Sequence, residues 1–513
     1  MDRTTITRRS LIAGAIAAPV VTAMRGNASV LADQSSKRPN VLFFLPDQVR
    51  RCEVGCYGGG QNAPTPNVDR LATQGTRFTN ALSTYPLCTP YRAMLQTGRM
   101  PALSGGIMNF INLPSTGQSM ADIFSHAGYE TGYIGKWHLA SGRLTGTLTR
   151  DVPPPNVDPE SEFVPPGPAR LGYQHWEAFN FHTDFAHAFY YRDTRERLFM
   201  PKYETDSETD MAIDFMKKNK SSKKPFFLVV SPHPPHPEWR KEQTPSDSLA
   251  ATPRDLHKRP NVKGWEETPT QDPHCYYAMI RNMDENLGRL TSFLDEEGLA
   301  KDTIVVFASD HGEMLASQSR HDKMVPYAEA VDVPLIVRWP GHVPAGHTSD
   351  VLYTPVDHFP TLAAMCGTGA PAIVNGKDLS WAALGSRGTG RDDVLLMNFT
   401  SQWDFPETNT IWPEWRGVKD RQYTYVRWLN GAEELYDNRV DIYQTRNLFD
   451  GRDVPPALAH FRQRLTALLK EAHDDFMPGD QYITWFDKKR NVIRNALGPI
   501  DRSNPGSPSS SVT

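Results

Sequence analysis

The residues Asn40–Leu45 form a run with scarcely a polar break, ended by Pro46, and runs of the same kind recur at Pro225–Ser231 and Thr303–Ala308. Being apolar at nearly every position, not at every second one, they read as strands buried on both faces, as in a sheet with helices on either side. Tyr276–Leu294 is spaced differently. Ile280, Met283, Leu287, Leu290 and Leu294 recur every three or four residues, which predicts a helix with one face in the core. Asn67–Thr73 and Ser119–His126, closed by Gly75 and Gly128, and Pro355–Met365 are further expected helices, and Glu130–Ile134 and Leu335–Arg338 further strands. Strands and helices in alternation predict an α/β fold. From about Asp392 the character changes: Arg416–Trp428 alternates like antiparallel strands and Pro456–His473 reads as a last helix, so a smaller C-terminal α+β subdomain is expected.

At 513 residues the chain exceeds the usual span of one hydrophobic core. The expected division is a large α/β domain over residues 33–391, a C-terminal subdomain over 392–502 and a disordered tail over 503–513. Residues 1–32 read as an export signal: Arg8-Arg9 precedes the modest apolar stretch Leu11–Met24, resembling a twin-arginine signal, and that stretch is too short to span a bilayer. The expectation is a bacterial periplasmic or secreted protein that passes through the twin-arginine export machinery and has no membrane anchor once mature. A net charge of -4 leaves no nucleic-acid footprint. Five cysteines are too few for a disulfide framework, and Cys52, Cys56, Cys275 and Cys366 are expected as free thiols.

Polar groups of a particular kind follow the predicted strands. Asp47 and Gln48 come after the first, where a carboxylate and an amide oxygen suit a hard cation. Lys136 and His138 stand in Gly135-Lys136-Trp137-His138, and two residues apart they can face one side of an extended segment. His233 and His236 lie among prolines after Ser231, and Ser309-Asp310-His311-Gly312-Glu313 follows the third buried run. Glu313 reads as supporting or surface-lying. Leu87–Arg99 reads as a short helix with Thr89 as N-cap, Pro90 at its first position and Gly98 as its left-handed stop. That places Cys88 at a helix N-terminus, which favours a thiolate or a bound oxyanion, with Arg92 one turn away. The aromatic stretch Tyr173–Tyr191 is expected mainly in the core, with stacking on a sugar ring as its rival use.

Cys88-x-Pro90-x-Arg92 followed by Thr97-Gly98-Arg99 resembles the signature of the type I, formylglycine-dependent sulfatases of the alkaline phosphatase superfamily. Tyr91 stands where serine is commonest. The other motifs fall in the family's order up to about Leu448, with Glu238 and Ala328 as departures. The resemblance implies an alkaline phosphatase-like fold, a large mixed and mostly parallel sheet flanked by helices. It implies that a formylglycine-generating enzyme converts Cys88 to formylglycine, whose hydrate attacks sulfur, and that one calcium ion is held by Asp47, Gln48, Asp310 and His311 against that residue. Lys136, His236, Lys323 and His311 are implied sulfate or leaving-group contacts, Arg92 an anion-neutralising group and His138 the partner of the hydrate, with His233 a rival to His236. The implied activity is hydrolysis of a sulfate monoester, with a sulfated carbohydrate or small molecule as substrate. A phosphonate or phosphate ester hydrolase of the same superfamily, or an inactive protein that binds sulfated glycans, are the alternatives.

Overall fold

The computed structural model describes residues 38–142, 162–222, 224–262, 272–400, 414–449, 451 and 455–500. The expected export signal and tail lie outside them. In chain order the strands are β1 (Asn40–Phe44), β2 (Thr76–Ala81), β3 (Glu130–Lys136), β4 (His175–Phe179), the short hairpin β5 (Phe189–Tyr190) and β6 (Leu198–Phe199), β7 (Phe226–Ser231), β8 (Thr303–Ala308), β9 (Leu335–Arg338) and β10 (His347–Tyr353). Eight of them form one sheet in the order β10-β2-β9-β8-β1-β7-β3-β4. Only β9 runs against its neighbours, so the sheet is mixed and mostly parallel, as expected.

The continuous apolar runs are explained by the two layers they separate. In β1, Val41 and Phe43 pack on one side with Leu95, Phe124, Phe359 and Leu362, while Leu42 and Phe44 pack on the other with Leu71, Phe215, Met283 and Leu287. Each of these side chains contributes roughly 1.5–3 kcal/mol by leaving water. Phe43→Ala, which also opens a cavity, would cost about 3–5 kcal/mol. Helix Pro273–Glu296 supplies the second layer with the face its spacing predicts. The expected helix at Pro355–Met365 divides into a 3-10 turn, Pro355–Asp357, and a helix, His358–Met365.

The C-terminal part is an antiparallel sheet of β11 (Asp393–Asn398), β12 (Trp415–Asp420), β13 (Tyr423–Trp428) and β14 (Glu433–Asp437), paired in that order. Helix Pro456–Glu471 covers one face through Leu458, Phe461 and Leu465. The same cluster includes Tyr85, Leu87 and Met94. This sheet therefore braces the segment around Cys88, and Trp415 Nε1 donates to the carbonyl of Met324, next to Lys323, at 2.8 Å.

Candidate active site

Because β1, β3, β7 and β8 are parallel neighbours with closely matched registers, their C-terminal ends deliver Asp47, Lys136, the 233–236 loop and Asp310 to one edge of the sheet. Gly135 has φ +98 in β3, and a side chain there would strike the Ser231 carbonyl, so this backbone approach beside Lys136 requires glycine. Against these strand ends stands the helix Cys88–Thr97, whose Arg92 donates to the Lys136 carbonyl.

The helix starts two residues earlier than its sequence suggests. Leu87 is the N-cap, without a side-chain cap, and Thr89 lies inside the first turn with its hydroxyl donated to the His138 carbonyl at 2.6 Å. The expected N-cap at Thr89 is thus corrected, because tertiary pairing with the Lys136–His138 segment takes the hydroxyl. Gly98 ends the helix at φ +62, as expected.

Cys88 is 1% exposed, and its Sγ lies 3.2 Å from His311 Nε2 and 3.6 Å from Lys136 Nζ. Burial, seconded by the Asp47 carboxylate, pushes its thiol up to about 12 against Lys136 and Lys323. A thiolate favoured by the helix start is therefore corrected: desolvation wins, and Cys88 is a neutral thiol. His311 Nδ1–H donates to the Gly312 carbonyl at 2.9 Å, which leaves the Nε2 lone pair facing the sulfur.

Asp47, Cys88, Asp310 and His311 offer ligand atoms that all lie within 4.8 Å of one another, and all four residues are buried. Among the described residues Asp47 Oδ1 has no hydrogen-bond partner. Two carboxylates around an orphaned buried oxygen fit a hard divalent cation. Gln48 stands beside them: its backbone N–H donates to Asp310 Oδ1 at 3.1 Å, its side-chain Oε1 accepts from Lys323 Nζ at 2.6 Å, and its side-chain Nε2 donates to Glu313.

Three buried cations surround the carboxylates. Arg92 reaches Asp47 Oδ2 and Asp310 Oδ2, each at 3.1 Å, and donates to the Lys136 carbonyl at 2.9 Å and Ser231 Oγ at 2.8 Å. It thus points into the sheet edge as a brace, not back along its own helix. Lys136 Nζ lies 2.6 Å from Asp47 Oδ2. Burial opposes ionisation of Asp47, but Lys136 above all, then His236, His311 and Arg92, hold its carboxyl well below the ordinary range. Lys323 Nζ bridges Gln48 and, at 3.2 Å, His236 Nε2. Burial opposes its charge, and the carboxylates near it, Asp322 and Asp47, act the other way and raise it.

Of the two candidate histidines, His236 meets Lys323, and its Nδ1–H donates to the Pro237 carbonyl at 2.5 Å, leaving Nε2 as the acceptor. His233 sits behind, with ring centroids 4.5 Å apart and its backbone N–H donated to Glu204 at 2.9 Å. His138 turns at φ +54, and both its ring nitrogens lack partners among the described residues. Burial first, then Lys136, keeps both His138 and His233 well below the usual imidazole value, hence neutral. For His236, burial and then Lys323 act in the same direction.

Glu313, expected as a supporting or surface residue, has the supporting role: it is fully buried and accepts from the Gln48 amide. Other groups of this site escape a reading of the sequence. Asn109 accepts the Thr89 N–H at 2.9 Å, and Tyr133 and Ser231 anchor Arg92. Only the buried position of Ser231 at the end of an apolar run hinted at such a use.

A family model described as Sulfatase matches residues 39–368, and one described as N-sulphoglucosamine sulphohydrolase, C-terminal, matches 317–471. The chain belongs to the sulfatase family. It is 31% identical over 467 residues to the ulvan-active sulfatase of Formosa agariphila, covering 89% of this chain and 85% of that one. To the endo-4-O-sulfatase of Bacteroides thetaiotaomicron it is 27% identical, over 81% and 89% of the two chains. A solved Bacteroides thetaiotaomicron structure, from a study of the metabolism of multiple glycosaminoglycans, superposes with a TM-score of 0.75 at 26% identity, covering 87% and 99%. The sulfatase is accordingly a sulfuric ester hydrolase with the alkaline phosphatase-like fold. Among its described residues no helix is long and apolar enough to cross a membrane.

Proposed function

We propose that this sulfatase hydrolyses a sulfate monoester of a carbohydrate to the alcohol and inorganic sulfate, using a formylglycine made from Cys88 by a formylglycine-generating enzyme. The observation that carries this reading is Cys88 Sγ set 3.2 Å from His311 and 3.6 Å from Lys136, inside the buried cluster with Asp47 and Asp310. A neutral, enclosed thiol is a poor nucleophile in its own right, and it suits a residue that is matured before it acts. The formylglycine hydrate would supply an attacking oxygen and a second hydroxyl, and calcium a positive charge for the ester oxygens. Asp47, Gln48, Asp310 and His311 would hold the ion.

The chain's own groups do the rest. Lys136 and Lys323 bind and orient the sulfate oxygens in a preorganised positive field. Arg92 fixes the two carboxylates and adds to that field. Lys323 gives a proton to the departing alcohol oxygen, and His236 Nε2, its hydrogen-bond partner, steers and can share that proton. His138, neutral and unpartnered, takes the proton of the second hydroxyl as sulfate leaves. Support for a carbohydrate comes from relatives named for ulvan and for endo-acting 4-O-desulfation. Export by the twin-arginine route to the periplasm or beyond would bring the enzyme to such a substrate.

Inorganic sulfate released from a panel of sulfated mono- and oligosaccharides tests the reading, with matched phosphonate and phosphate esters alongside. Sulfate esters are expected to be preferred. A preference for the phosphonate esters would assign the site to that chemistry, and binding of sulfated glycans without any release would mark it as inactive.

A further inference from the structure

Two phenylalanines stand beside Lys136, His138 and His236. Phe181 is half-buried, and the ring is 5.0 Å from Lys136 Nζ, 4.8 Å from the His138 ring and 5.7 Å from the His236 ring, edge-on at 86°. Phe110, also half-buried, meets Phe181 edge-to-face at 5.3 Å and flanks His138 at 4.8 Å. The charged groups behind this pair are buried, so the pair forms the partly open wall next to them.

Both rings are tied to the reacting end of the site. Asn109, the neighbour of Phe110, accepts the Thr89 N–H of the Cys88–Thr97 helix, and Asn180, the neighbour of Phe181, accepts the His138 N–H at 3.0 Å through its carbonyl. Phe110 also has φ +56, a strained conformation for a bulky residue and one that persists where surrounding structure enforces it. An apolar core would hide such rings, and a solvated loop would use polar residues.

We infer that Phe110 and Phe181 form a stacking wall for the alcohol of the ester, and that the enzyme selects alcohols that are rings with an apolar face, such as a pyranose. This rests on the sulfate ester reading above. The wall binds the ring through its C–H face while the sulfate reaches Lys136 and Lys323, so it adds ground-state and transition-state affinity alike and acts on KM.

The test compares cyclohexyl sulfate with n-hexyl sulfate, together with a sulfated methyl glucoside, on wild type, Phe181→Leu and Phe110→Leu. Leucine keeps the apolar bulk and removes the ring face. For the cyclic esters kcat/KM is expected to fall about threefold to tenfold through KM, and for n-hexyl sulfate to stay within about twofold. Equal losses on the cyclic and linear esters, or losses carried by kcat, would overturn the wall. Calorimetric binding of the same esters to the wild type and both variants separates the two claims. If wild type turns over none of them, the proposed sulfate monoester substrate fails, yet a ring preference in binding that the variants lose still supports the wall. Equal affinity for the cyclic and linear esters refutes it.

Discussion

Removing Arg92 is the perturbation whose cost follows most directly from the geometry. Its guanidinium is 1% exposed and faces Asp47 and Asp310, both fully buried, at 3.1 Å each, while also donating to the Lys136 carbonyl, Ser231 Oγ and Tyr133 OH. Arg92→Ala leaves Asp47 with Lys136 at 2.6 Å but takes from Asp310 the guanidinium that neutralises it. Breaking a buried ion pair from one side costs about 3–5 kcal/mol, because the remaining charge stays out of water. Stability of ordinary domains is of order 5–15 kcal/mol, so about a fifth of it or more is at stake. Urea unfolding followed by tryptophan fluorescence should show a midpoint lower by about 1 M or more. Arg92→Lys, with a point charge that reaches one carboxylate and no planar fork, should fall between. An Arg92→Ala midpoint equal to that of the wild type would refute the reasoning, since it would mean that the two carboxylates are not held as buried anions.

Other outcomes follow from the same site. Lys323→Ala should slow hydrolysis of alkyl and sugar sulfates about 10²–10⁴-fold and p-nitrophenyl sulfate far less, since that leaving group departs without a proton; equal losses in steady-state assays would deny Lys323 the proton. Burial pushes Glu204 up to about 8, so the folded protein keeps a proton that the unfolded chain loses from about pH 4.5 upward. Wild-type stability is therefore penalised increasingly as pH rises to about 8, and the melting temperature of Glu204→Gln should gain on that of wild type between pH 5 and pH 8; a constant difference would contradict the assignment. Chelation should lower the melting temperature and calcium restore it, by about 2.7 kcal/mol at a hundredfold excess over Kd; a melting temperature indifferent to both would argue against the ion.

Much of this architecture was legible in the sequence because it depends on local pattern. The runs at Asn40, Pro225 and Thr303 are apolar at nearly every position, which only a two-sided burial explains, and the groups after them fall at one sheet edge because those strands are parallel neighbours. What could not be read is set by tertiary partners. Thr89 gives its hydroxyl to the His138 carbonyl, so the helix starts at Cys88 with no side-chain cap. Cys88 stands at a helix start, yet burial keeps its thiol protonated. Asn109, Phe110 and Phe181 belong to loops whose composition carries no period, and their use emerges only where the loops meet. His233 and His236 are alike in sequence, and the bond from Lys323 distinguishes them.

The central claim is that Cys88 is the precursor of the working group. The most direct measurement follows the mass of the tryptic peptide Phe78–Arg92 and the rate of sulfate release in the same preparations, made with graded amounts of a co-produced formylglycine-generating enzyme. The rate should rise in proportion to the fraction of peptide carrying the aldehyde and extrapolate to zero when Cys88 is intact. Full activity in protein whose peptide holds only unmodified cysteine would contradict the account.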